Sequence, residues 1–166
     1  MKTIALLIMI SLFMGCSTKN FKVLKPLDKN HTSFASINVS VSANDEMLKT
    51  LKISNETMIE LKKEIANKLQ RQKTGPGESL TLKVLIESYN ETSFLKVIDP
   101  FHIQPNQNLG GIDAIAKYYD HNNTLLHEVH INTEAPRGGF NYFFNSSETT
   151  LFVDAISEYT KKNFFP

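Results

Sequence analysis

From Ala35 to Ala43 the sequence changes character at every step. Ala35, Ile37, Val39, Val41 and Ala43 are apolar, and Ser36, Asn38, Ser40 and Ser42 between them are polar. Successive side chains of a strand point to opposite faces, so a sustained period of two commits this stretch to a strand with one dry and one wet face. Such a strand is not stable alone. It needs neighbours in a sheet and an apolar cover for its dry side.

The rest of the chain offers both. Ser54-Asn55-Glu56 is a helix start with an acidic first turn, and Met58, Leu61, Ile65 and Leu69 then recur at helical spacing to about Gln72. Lys68, Arg71 and Lys73 suit its carboxyl end. Leu80, Leu82, Val84 and Ile86 predict a second strand, to about Asn90. Gly110-Gly111 leads into a third, with Ile112, Ala114, Ala116 and Tyr118 on one side, and Asp120-His121-Asn122-Asn123 turns the chain into its partner, Leu125 to Thr133. Ser146 or Ser147 caps a last helix with Phe152, Ala155, Ile156 and Tyr159 on one face and Lys161-Lys162 in its final turn. The expected fold is α+β: a single four-stranded, mostly antiparallel sheet with two helices packed on one face, in the order β-α-β-β-β-α. Val39, Val84, Ile65 and Ile156 should meet between sheet and helices.

Three stretches carry no period. Ser17 to Ser33 holds Lys19, Lys22, Lys25 and Lys29 against Asp28 alone, and reads as a tether spanning roughly 55 Å if fully extended. Residues 93–109, with Pro100 and Pro105, form a connection too long for a plain turn. Gly138-Gly139 introduces Phe140, Tyr142, Phe143 and Phe144, an aromatic density that suits contact with a partner as well as it suits packing. Thr74-Gly75-Pro76-Gly77 is a break without the Lys-Ser/Thr of a phosphate loop.

Chemistry is sparse. The chain has 18 basic and 17 acidic residues, and no charge excess exists to capture nucleic acid. No Gly-x-Ser-x-Gly elbow appears, and Glu87, Asp99 and Asp113 are scattered, so no catalytic residues are assigned and an enzyme is not expected. Among the histidines, His127 and His130 lie three apart on a strand and must face opposite ways. His127 with the turn residue His121 stays geometrically open, but no third ligand is evident, so neither a metal nor another cofactor is expected.

The only cysteine is Cys16, so no internal disulfide is possible and the domain rests on burial. It follows a positive start at Lys2, an apolar run from Ile4 to Met14, and Gly15. That run is too short for a spanning helix, which needs about 20 residues. Leu12-Phe13-Met14-Gly15-Cys16 resembles the lipobox of bacterial lipoproteins, with Gly15 and Cys16 matching and Phe13 standing where the family usually has Leu. The resemblance implies a signal peptide at 1–15, a diacylglyceryl thioether on Cys16, a lipidated tether at 16–33 and a domain at 34–166. Ser17, rather than the Asp that favours inner-membrane retention, implies the periplasmic face of the outer membrane, with the inner membrane as the alternative.

The domain in turn resembles small envelope lipoproteins of unknown function, whose fold is likened to auxiliary lipoproteins of ABC transport and to anticodon-binding-like α/β domains. The carrying features are the Ser-rich first strand, the helix from Ser54 to Gln72, Gly110-Gly111, and the Asp120 turn with Leu125-Leu126-His127. The expectation is a membrane-anchored, non-enzymatic binding or accessory component of the cell envelope, held through the lipid on Cys16 and meeting an envelope protein through Phe140, Tyr142, Phe143 and Phe144. The alternative is a small-ligand binder using a cleft between loops 93–109 and 138–145.

Overall fold

The computed structural model describes residues 18–27, 34–49, 53–70, 77–90, 110–134 and 148–165. They form β1 (Thr18–Lys25), β2 (Phe34–Ala43), α1 (Asp45–Lys49), α2 (Asn55–Gln70), β3 (Glu78–Asn90), β4 (Gly111–Tyr119), β5 (Leu125–Glu134) and α3 (Glu148–Phe164). The five strands make one mixed sheet in the order β1-β5-β4-β3-β2. The α+β class holds, while the four-stranded, mostly antiparallel sheet with two helices needs two corrections.

The first concerns β2 and β3, which are sequence neighbours and sheet neighbours yet run parallel, from Phe34 beside Glu78 to Ala43 beside Ile86. Parallel neighbours need a crossover rather than a hairpin, and α1 and α2 lie within it. The short α1 escapes a periodicity argument because it is barely a turn long. Asn44 caps it, its Oδ1 accepting from the Met47 N–H at 2.8 Å. Ser54 caps α2 in the same way, its Oγ accepting from the Thr57 N–H at 3.0 Å.

The second concerns the segment that sequence period assigns to a tether. Thr18–Lys25 is a strand, paired antiparallel with β5 from Thr18 beside Glu134 to Lys25 beside Glu128, with a bulge between Val23 and Lys25. Its alternation is unreadable because it is an edge. Phe21 has α3 beneath it, while Val23 and Leu24 remain about half exposed, and Lys19, Lys22 and Lys25 are interspersed with them. Charged residues on an edge strand also discourage pairing with another chain.

The core forms on one side of the sheet. Leu80, Leu82, Val84 and Ile86 of β3, Ile112, Ala114, Ala116 and Tyr118 of β4, and Val129 and Ile131 of β5 are buried under Leu61, Ile65 and Leu69 of α2 and Phe152, Ala155 and Ile156 of α3. Val84, Ile65 and Ile156 belong to this core cluster, and Val39 of β2, half-buried, packs against it. Lys68 and Asp154 pair across the two helices. No described helix covers the opposite face. It carries Ser40 and Ser42 of β2, Lys83 of β3, Lys117 of β4 and Glu128 and His130 of β5.

Candidate functional site

The open face holds the most concentrated chemistry. Glu87 of β3, Asp113 of β4 and His130 of β5 come from adjacent strands, and one donor atom from each lies within 4.8 Å of the other two. Register explains the meeting. Asp113 pairs with Asn132 and Ile115 with His130, so Asp113 and His130 are diagonal neighbours on one face. Glu87 joins them because the β3–β4 register shifts between Ile86 and Ser88. A bulge inserts one extra residue and re-aims its side chain.

His130 Nε2 lies 2.5 Å from Asp113 Oδ1 and 3.7 Å from Glu87 Oε2. Asp113 Oδ1 is sealed from solvent and makes no hydrogen bond of good geometry among the described residues; its close neighbour is that imidazole nitrogen. Asp113, alone of the trio, also lines a shallow polar hollow of about 160 Å³, together with Ser88, Asn90, Asn132 and Glu134 among others. Lys22 of β1 is the register partner of His130.

This cluster is not one that spacing revealed. Its members stand at positions 87, 113 and 130, and only strand order, register and a bulge bring them together. The available signal was the opposed facing of His127 and His130, which places His130 on the wet face. The pairing left open between His127 and His121 does not occur. His121 sits in the hairpin turn, with its Nδ1 2.9 Å from Glu78 Oε2. His127 is buried under α3.

His127 belongs to a polar seam inside the core. Its Nε2 lies 2.8 Å from the Tyr159 hydroxyl, and their rings stack with centroids 5.8 Å apart. The Tyr118 and Thr160 hydroxyls are 2.9 Å apart, and Thr160 also donates to the Ile156 carbonyl at 2.7 Å. Burial lowers the His127 pKa, against the opposing pull of the Lys25 backbone, and burial raises the phenols of Tyr118 and Tyr159. All three rings are therefore held neutral.

A second arrangement concerns the end of the sheet where β1 begins. Thr18 stands beside Glu134, Glu134 beside Gly111, and Gly111 beside Asn90, so four strands end or begin in one row. The connections 91–109 and 135–147 leave from that row. Gly111 is required there, because a Cβ on it would lie 2.2 Å from the Thr133 carbonyl oxygen.

Cys16, Phe140, Tyr142, Phe143 and Phe144 lie outside the described residues, as do both walls of the cleft expected between loops 93–109 and 138–145. Another hollow, of about 280 Å³, lies between the start of β2 and the end of α2; Ser36, Asn38, Leu69, Gln70 and Phe165 help line it, and none of its described lining residues is titratable. No described helix is long and apolar enough to cross a membrane.

No family model and no curated protein matches the sequence. Among solved structures, the chain is similar to the PelC dodecamer from Paraburkholderia phytofirmans at 11% identity and a TM-score of 0.47, over 86% of this chain and 96% of that one. A point variant of that dodecamer gives 12% identity and a TM-score of 0.45, over 86% of this chain and 95% of that one.

Proposed function

We propose that the chain is a bacterial lipoprotein, anchored through Cys16 at the periplasmic face of the outer membrane, that serves the envelope by binding rather than by catalysis. The observation that supports it most is the lipobox-like Leu12-Phe13-Met14-Gly15-Cys16 after a short apolar run; β1 is described from Thr18, two residues on. Two residues reach at most about 7 Å. An acyl anchor on Cys16 would therefore hold the sheet close to the lipid surface, with the row Thr18, Glu134, Gly111 and Asn90 nearest to it. Two acyl chains make such attachment stable, each buried methylene contributing about 0.8 kcal/mol.

In this reading the aromatic segment Phe140, Tyr142, Phe143 and Phe144 supplies the contact with an envelope protein. It belongs to the connection that follows Glu134, in the row nearest the anchor. The test is fractionation of cells expressing the native chain and Cys16→Ser. The native chain should sediment with outer membrane and incorporate a palmitate analogue; the variant should do neither. Equal membrane recovery and labelling of the variant would overturn the anchor. A Phe143→Ser/Phe144→Ser double variant should keep its melting temperature and lose crosslinked envelope partners.

A further inference from the structure

We propose that Glu87, Asp113 and His130 bind a single divalent transition-metal ion, zinc by preference, on the open face of the sheet. Three observations converge. The donor set is right: one imidazole nitrogen and two carboxylates suit zinc, which takes nitrogen at about 2.0–2.1 Å and carboxylate oxygen at about 2.0–2.2 Å. The spacing is right, since the three donor atoms already lie within 4.8 Å of one another, so small side-chain rotations bring all of them onto one ion. The third observation is the Asp113 oxygen, which is shielded from water and held 2.5 Å from the His130 imidazole nitrogen, so two of the donors already face each other. A metal ion would take the place of that ion pair, with carboxylate and imidazole both turned onto it.

Charge argues the same way. Two carboxylates share one imidazole, which can supply a single positive charge only when protonated. Lys22, the register partner of His130 on β1, offers no acceptor that could ligate. A divalent ion neutralises both carboxylates at once and leaves the imidazole neutral, the form in which it ligates. Strands hold the donors, and strands position ligands more firmly than loops do. Glu87 and His130 are partly exposed, so solvent can supply the water that completes a four-coordinate site with three protein ligands. A site with an exchangeable fourth position, open to solvent, is fit to accept a donor from another molecule. This proposal does not depend on the lipid anchor.

The test uses the full chain, purified in detergent and stripped with a chelator, titrated with zinc by calorimetry and with cobalt by visible absorption. The native chain should take up one zinc and show the d–d bands of four-coordinate cobalt. His130→Ala should abolish both, and Glu87→Gln, a change at an exposed bulge that leaves the fold intact, should weaken zinc by more than roughly tenfold. His121→Ala, at the far end of the sheet, should change nothing. Absence of saturable zinc uptake, uptake undiminished in Glu87→Gln, or uptake lost equally in His121→Ala would each overturn the site and leave the trio an ion-pair network.

Discussion

The ring of Phe21 stacks on that of Tyr159 with centroids 5.0 Å apart and planes inclined by 21°, fastening the edge strand β1 to α3. One residue pair earlier, Lys19 Nζ lies 3.0 Å from Glu158 Oε2. A strand so held is part of the folded unit. Phe21→Ala should cost about 1–2 kcal/mol in urea denaturation, through lost ring stacking and lost burial. An effect within about 0.5 kcal/mol, the usual range for a surface change, would mean that β1 contributes no more than a tether would.

Stability should fall on the acid side, and His127 should account for part of the fall. Burial depresses its pKa below the ordinary value of 6.5. The unfolded chain therefore takes up the proton first. The contribution is fully present above about pH 6.5 and is lost as pH falls through the lower folded pKa. The denaturation midpoint of His127→Gln should be less sensitive to pH below 6.5 than that of the native chain. Parallel pH profiles would contradict the assignment.

Gly111→Ala should destabilise the sheet by about 1–3 kcal/mol, because the new methyl meets backbone rather than a flexible side-chain end. Chemical denaturation measures this directly. A neutral result would show that β4 can move away from β5 at the Glu134 row without loss.

Ile65→Ala tests the packing that period alone foretold. Ile65 is fully buried between α2 and the sheet, so truncation should cost about 2–5 kcal/mol. A change within experimental error would place the helix face elsewhere.

The contrast between Ile65 and Phe21 shows what the sequence could convey. Elements with one face fully in the core were legible, since burial imposes a clean period of two or of 3.6: α2 with Leu61, Ile65 and Leu69, and β3 with Leu80 to Ile86. The edge strand was not, since its apolar Phe21, Val23 and Leu24 all stay substantially exposed. The direction of β2 against β3 depends on where the crossover returns the chain, and that leaves no mark in side-chain pattern. The Glu87–Asp113–His130 cluster was legible only in one part. The facing of His130 followed from strand geometry, but its companions depended on register and on a bulge at Glu87. Both are consequences of backbone pairing rather than of composition.

The anchor is tested most directly by intact-mass and peptide mass spectrometry of the protein purified from bacterial envelopes. The account predicts a mature chain whose first residue is Cys16, bearing a diacylglyceryl group on sulfur and an acyl group on the new amino terminus. A mature chain beginning elsewhere, or beginning at Cys16 with a free thiol, would contradict it.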